Sequence, residues 1–303
     1  MIDALDLSTA KLPRVRGRLT LNAPLGPQTW FRVGGPAELL FRPADADDLA
    51  HLLECWPSEM PRTIIGAASN LIIRDGGVPG LVIRLGGGFG GIEIEPDGLI
   101  AGAAMLDVNL AEHAAVAGLT GLEFMSGIPG AVGGAIAMNA GAYGGEVSQV
   151  LDWVELVTSD GDLLRLGAKE LHLSYRHSGL PPGGVVVAAR FRAEAGNPAA
   201  IAERMAHIKT SREATQPVRA RTGGSTFQNP PDMKAWELIE AAGCRGLTIG
   251  RAQVSEKHCN FLLNLGGATA AELEGLGEEV RRRVRETSGV TLEWEIKRIG
   301  RPV

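Results

Sequence analysis

Apolar residues recur at helical spacing in only a few stretches of this chain. Elsewhere they gather in short runs cut by glycine and proline. Leu49, Leu52, Leu53 and Trp56 share one face of a helix that Asp45 caps and Pro57 ends. Asp107 is placed to cap a small-residue helix that stops at Gly118. Asn197 and Pro198 open a helix of about three or four turns, with Ile201, Met205 and Ile208 on its apolar side. Asp232 is placed to cap a helix that buries Trp236, Leu238 and Ile239 and stops at Gly243. Thr269 and Glu272 have capping-box spacing, and that helix runs to Ser288 with Gly289 as its stop.

The remaining apolar runs predict strands. Residues 28–42 read as strand–turn–strand about Gly34, Gly35 and Pro36. Thr63–Ile65, Leu71–Arg74 and Leu81–Leu85 are short strands; 92–95 and 99–102 flank a hairpin turn at Pro96, Asp97 and Gly98. Val150–Val157 and Leu163–Leu166 form a second hairpin, 173–184 is a loop, and Val185–Arg192 is a strand. In 290–299, Val290, Leu292, Trp294 and Ile296 alternate with Thr291, Glu293, Glu295 and Lys297, the period of a half-buried strand. Strands dominate up to Gly196, where the composition shifts and helices follow, which predicts a boundary there between a body 21–195, preceded by an amino-terminal segment 1–20, and a carboxy-terminal domain 196–303.

Composition narrows the function classes. The chain has 303 residues, 45% hydrophobic and 21% charged, ordinary for a soluble globular protein. A net charge of −5, with no basic block interleaved with aromatics, argues against nucleic-acid binding. The cysteines Cys55, Cys244 and Cys259 lie far apart without a CxxC, which fits a reducing compartment rather than a disulfide framework or a zinc site. The histidines show no ligand spacing, so no catalytic metal is expected. There is no signal-peptide pattern at the amino terminus and no apolar run near the ~20 residues of a membrane span. These features predict a cytoplasmic protein, and no obligate protein partner is evident.

What composition adds positively is glycine. The 41 glycines are about twice the usual share, and eight of them fall between Gly121 and Gly145. That stretch is neither strand nor stable helix, because each interior helix glycine costs about 1 kcal/mol against alanine. Either it lies against a large flat ligand carrying a pyrophosphate, or it packs tightly between subdomains. It follows neither the dinucleotide fingerprint of a βαβ unit nor the P-loop signature. GAASN (66–70) follows a buried strand and offers successive backbone N–H groups, a nest for anionic oxygens or a plain small-residue turn. Ser225 is a loop serine or a hydroxyl proton donor, with no His–Asp arrangement to make it a nucleophile. Arg176 is a surface arginine or a planar fork for a carboxylate. Glu295 reads on pattern as an exposed strand carboxylate, and Cys259 as a plain buried thiol.

Several stretches, in order, resemble one family. They are TWFRVGGPAE (29–38), GAASNLIIRDGG (66–77), GLEFMSGIPGAVGGAIAMNAGAYGGE (121–146), SYRHS (174–178), REATQP (212–217), GGSTFQNP (223–230), AGCRGLTIGRAQVSEKHCNFLLN (242–264) and EWEIKRIG (293–300). The family is UDP-N-acetylenolpyruvoylglucosamine reductase, the NADPH-dependent flavoenzyme that makes UDP-N-acetylmuramate for peptidoglycan. The resemblance implies an FAD-binding region of the vanillyl-alcohol-oxidase type in two α+β subdomains, then a substrate-binding α+β domain. FAD is expected without a covalent bond, since neither His nor Cys occurs in 66–77 or 121–146. Its pyrophosphate is expected on Gly66, Ala67, Ala68, Ser69 and Asn70. Its isoalloxazine is expected against Gly127, Ile128, Pro129, Gly130, Gly133, Gly134, Asn139, Ala140 and Gly141, with Arg32 a further contact. By motif the catalytic residues are Arg176, Ser225 and Glu295, and the UDP-sugar contacts are Tyr175, Lys209, Arg212, Asn229 and His258. The SYR motif, with no extra capping loop, resembles the family's shorter class, and Gln228 stands where relatives often carry a basic residue. Another FAD oxidoreductase of this fold, or a non-catalytic nucleotide-binding protein, stays open on sequence alone.

Overall fold

A computed structural model describes residues 13–303. Most of the expected amino-terminal segment, residues 1–12, lies outside the described residues. The chain is α+β and divides into two compact units. Among the described residues the first comprises 13–23, 37–67 and 79–205; the second comprises 24–36, 68–78 and 206–303.

The first unit's described residues hold two larger sheets and two short two-stranded ones. One larger sheet orders the strands Arg18–Pro24, Pro36–Arg42, Val78–Arg84 and Arg62–Ile65, the last two parallel. Helix α1 (Ala46–Cys55) starts where the Asp45 carboxylate accepts the Asp48 N–H at 3.0 Å. Its Leu49, Leu52 and Leu53 are buried with Phe41, Leu81 and Ile83. The second sheet is antiparallel, in the order Leu163–Gly167, Leu151–Val157, Val185–Arg192, Gly98–Gly102, Ile92–Glu95. Both hairpins expected from the sequence are therefore present. Against this sheet pack the short helix α3 (Val132–Ala137) and a core that also buries helix α2 (Asp107–Val116). A single-turn helix α4 (Val147–Val150) leads into Leu151–Val157.

Helix α5 (Pro198–Thr215) is longer than its expected three or four turns, and its course passes from the first unit to the second at residues 205–206. The second unit adds α6 (Ala235–Ala241), a small sheet of Thr248–Ile249, Ala252–Val254 and Leu262–Asn264, and α7 (Ala270–Ser288). The capping box at Thr269 and Glu272 and the left-handed Gly289 bound α7 as the sequence predicts. No helix among the described residues is long and apolar enough to cross a membrane.

Four local expectations fail. Residues 28–33 are a closed turn, not a strand: the Thr29 hydroxyl donates to the Gly26 carbonyl, and the Val33 N–H donates back to that hydroxyl. Leu106, not Asp107, takes the N-cap position of α2. Asp232 sits in a left-handed turn ahead of α6, and the Asn229 side-chain oxygen Oδ1 accepts the Ala235 N–H at 3.0 Å. Trp236 is 41% exposed where the helical pattern had it buried. The alternation of 290–299 is present, but it runs through two short pairings. Trp294 bridges Phe227, and Lys297–Ile299 pairs in parallel with Leu71–Ile73.

Candidate functional site

Small residues at 131–137 form one wall of a cavity of about 290 Å³ inside the first unit. Ala131, Gly133, Gly134 and Ala137 line it from this segment, and Gly66 and Ala67 line it from the loop after the strand Arg62–Ile65. Two stretches that the sequence singled out, far apart in the chain, thus meet at one cavity. A β-carbon on Gly66 or on Gly134 would meet no atom within 4 Å. Gly133 differs: there a β-carbon would lie 3.2 Å from the Ala103 side chain. The walls are otherwise mostly apolar, and Ile64, one of the lining residues, is 41% exposed.

Arg84 is the one charged side chain in the lining. It ends the strand Val78–Arg84, half-buried, and burial with Arg42 nearby lowers its pKa. A guanidinium nevertheless stays charged in proteins. Sequence reasoning passed over Arg84. The available signal was a charge closing an apolar run directly before the glycines at 86–88.

The loop carrying Arg176 is pinned to the cavity wall. Asn139 is 1% exposed; its amide donates to the Ser174 carbonyl at 3.1 Å and its oxygen accepts the Ser148 N–H at 2.9 Å. Ser178 donates to the carbonyl of Ala137, a cavity residue, at 3.2 Å. Between these anchors Ser174 and His177 pair across Tyr175 and Arg176, whose guanidinium lies 5.0 Å from the half-exposed Tyr175 ring. The Asn139 side chain is thus spent on holding this loop. Gly127, Ile128, Pro129 and Gly130 precede the cavity-lining residues, and Ala140 and Gly141 follow them into the turn at 141–146.

In the second unit Ser225 and Glu295 stand on neighbouring strands of backbone. The Thr226 carbonyl accepts the Glu295 N–H at 2.9 Å, and Gln228 donates to the Glu293 carbonyl at 2.8 Å. Asn260, 4% exposed, clamps the serine segment by bonding both the N–H and the C=O of Phe227. Asn70 donates to the Glu295 carbonyl at 3.1 Å, and Lys297 donates back to the Asn70 carbonyl at 3.0 Å. Ala68, Ser69 and Asn70 therefore belong with Ser225 and Glu295, while Gly66 and Ala67 belong with the cavity. Arg32 is exposed in the second unit and donates to the Pro27 carbonyl.

Of the expected substrate contacts, Lys209 and Asn229 are exposed, and Arg212 donates to Gln216 at 3.3 Å. His258 is half-buried, edge-on to Phe261 with ring centroids 4.9 Å apart, and burial lowers its pKa. Its ring is therefore neutral at pH 7. Cys259 is buried and donates to Glu240 at 2.8 Å; burial, then that contact, pushes its pKa up to about 12, so it is an inert thiol.

Backbone strain offers a separate signal. Eight described non-glycine residues have left-handed φ, and Arg32, Ala68, Asn139 and Arg176 are among them. Such conformations persist where the surroundings enforce them, and they gather at functional sites. A glycine-walled, mostly apolar cavity with one fixed cation suits a flat ring system linked to an anionic group. A cofactor the size of FAD exceeds about 290 Å³, so it would extend past these walls.

Comparison with known proteins agrees. Residues 37–167 match the FAD binding domain family, and residues 216–299 match the family described as UDP-N-acetylenolpyruvoylglucosamine reductase, C-terminal domain. The chain is 66% identical to the UDP-N-acetylenolpyruvoylglucosamine reductase of Acidiphilium cryptum over 97% of its own length and 95% of that protein's. It is also 66% identical to the reductase of Granulibacter bethesdensis, over 95% and 93%. The crystal structure of the Thermus caldophilus UDP-N-acetylenolpyruvylglucosamine reductase matches with a TM-score of 0.81 at 37% identity, covering 95% of this chain and 100% of that one.

Proposed function

Because this chain belongs to the UDP-N-acetylenolpyruvoylglucosamine reductase family, we propose that it reduces UDP-N-acetylglucosamine enolpyruvate to UDP-N-acetylmuramate, with FAD as cofactor and NADPH as reductant. The reaction serves peptidoglycan precursor synthesis, and we place it in the cytoplasm. The observation that carries the reading is the cavity walled by Gly66, Gly133 and Gly134, to which the Arg176 loop is tied through Ser178. When bound, FAD supplies the hydride that goes to the β-carbon of the enolpyruvyl ether.

The chain's own residues do the rest. Gly66 and Gly134 leave room for the cofactor, and Arg84 offsets the charge of its pyrophosphate. Hydride addition drives charge onto the substrate carboxylate, so the transition state gains from a fixed cation and hydrogen-bond donors. Arg176 is that cation, a planar fork matched to a carboxylate, and Glu295 in its acid form donates to the same group. Ser225 delivers its hydroxyl proton to the α-carbon; a serine is a weak acid, but an enolate carbon is basic enough to take the proton. The clamp of Asn260 on Phe227 keeps the Ser225 segment in register with Glu295. Tyr175, Lys209, Arg212, Asn229 and His258 hold the nucleotide-sugar.

The test is the visible spectrum of the purified protein. NADPH should bleach a yellow protein under anaerobic conditions, and UDP-N-acetylglucosamine enolpyruvate should restore the colour. Bleaching without recovery on that substrate rejects the substrate, and a protein that takes up no FAD rejects the cofactor.

A further inference from the structure

Asp107 is the most deeply buried ionisable side chain near the cavity, and nothing in the proposed chemistry uses it. It has no accessible surface. Neither of its carboxyl oxygens has a hydrogen-bond partner among the described residues, although it opens α2, where a carboxylate would ordinarily bond backbone N–H groups. Around it the core is apolar, with Met105, Leu110, Ala111 and Val132 in one cluster. Burial alone pushes its pKa well above the usual carboxylate range. The elements packed against α2 are the turn Glu123–Gly127 and the short strand Leu119–Thr120. Their one titratable group, Glu123, is engaged by Arg204. On α2 itself Glu112 and His113 are exposed. Among the described residues no cation offsets a charge on Asp107, so burial favours its protonated form.

Its backbone is continuous with the cavity wall. The Asp107 N–H donates to the Gly130 carbonyl at 3.2 Å, and the Val132 N–H donates to the Met105 carbonyl at 2.9 Å. Between them Leu106 and Ala131 form a bridge, and both line the cavity.

We propose that Asp107 makes the cavity wall pH-sensitive: the backbone pairing of 105–107 with 130–132 holds while the buried side chain is protonated, and its ionisation parts that pairing and weakens cofactor binding. The second half rests on the assignment of FAD to this cavity. Ionisation requires the new charge to reach water or a partner, so from a site without accessible surface an adjoining segment must move, and the segment bonded to the Asp107 backbone is the cavity wall.

The experiment compares wild type with Asp107→Asn, and with Asp107→Leu in case the amide fails to fold. Apoprotein unfolding and FAD affinity are both followed from about pH 6 to about pH 9.5. The folded wild type holds a proton that its unfolded chain has lost. Its folding constant should therefore fall, relative to the variant's, by up to about tenfold per pH unit until Asp107 ionises. At pH 6 the proteins should bind FAD within about threefold, and the wild-type Kd should then climb while the variant's stays level. A stability gap that does not change with pH overturns the neutral acid. A changing gap with parallel FAD curves overturns the link between Asp107 and the wall and leaves the cofactor assignment standing. Variants that fold but bind no FAD at pH 6 show that the carboxyl itself is needed, which also overturns it. Wild type that takes up no FAD at any pH refutes the cavity assignment.

Discussion

Gly134→Ala separates what this glycine does for the fold from what it does for a ligand. Gly134 lies inside α3, outside the left-handed region, and its new β-carbon would meet no atom within 4 Å. Replacing an interior helix glycine with alanine gains about 0.8–1 kcal/mol where nothing clashes. The apoprotein should therefore melt about 2–4 °C higher. FAD affinity should move the other way. A methyl group pushed into space that a close-fitting ligand needs costs about 1–3 kcal/mol, or about five- to a hundredfold in Kd. Gly133→Ala is the control. Its β-carbon would lie 3.2 Å from the Ala103 side chain and 3.3 Å from the Ala103 carbonyl oxygen, so part of the helix gain is lost to crowding and the apoprotein should gain less. Gly66→Ala, in a loop with open space, should weaken FAD without the rise in melting temperature. Thermal unfolding of apoprotein and a fluorescence titration with FAD measure both effects. If Gly134→Ala raises the melting point and binds FAD within about twofold of wild type, the cavity is not where the cofactor lies.

Arg84→Met keeps the stem of the side chain and removes the only charge in the cavity lining. It should weaken FAD by about ten- to a hundredfold and reduce the salt dependence of binding; an unchanged salt dependence would contradict a pyrophosphate contact. Ser225→Ala should leave flavin reduction by NADPH intact and lower substrate turnover by about 10²- to 10⁴-fold. Equal loss in both half-reactions in stopped-flow traces would remove Ser225 as proton donor. Burial would raise the Glu123 pKa, but Arg204, the Thr120 hydroxyl and the Gly121 N–H outweigh it and hold the carboxyl below its usual value. That depressed value contributes stability at neutral pH that is lost as pH falls through the folded pKa. Glu123→Gln should therefore cost about 1–2 kcal/mol at pH 7, discounted because Arg204 is half-exposed, and the gap to wild type should close in acid. A gap of the same size at about pH 3 would refute this account.

What the sequence made legible follows from the range of the forces involved. Asp45, Thr269 with Glu272, and Gly289 act on backbone within about four residues, so their spacing alone identifies them. Asp107 and Asp232 carry the same local signal, yet neither caps its helix. Asp107 is drawn under by an apolar core assembled from distant segments, and Asn229 reaches the start of α6 first. Thr29 could not be read as a turn-former from its β-rich neighbours because the Phe31 and Val33 side chains are buried in a core built mainly from residues after 227. The second unit takes Pro24–Pro36 and Ala68–Val78 from the middle of the first, through pairings such as Leu71–Ile73 with Lys297–Ile299. No linear pattern announces a strand whose partner lies more than 200 residues away.

Glycine shows the same limit most sharply. Composition marked 121–145 as a place of close approach, but not approach to what. Gly145 is glycine because a β-carbon would sit 2.6 Å from the Phe124 ring, which is core packing. Gly144 and Gly121 are glycine because φ is +86° and +104°, which is backbone conformation. Gly134 answers to neither cause: its φ is helical and its surroundings are open. Gly275 in α7 is equally open but does not line the cavity; on a cavity wall, a helix glycine with no packing or conformational reason leaves room for a neighbour that the polypeptide itself does not supply. That subtraction, more than the glycine count, makes Gly134 the position whose substitution tests whether this stretch lies against the cofactor.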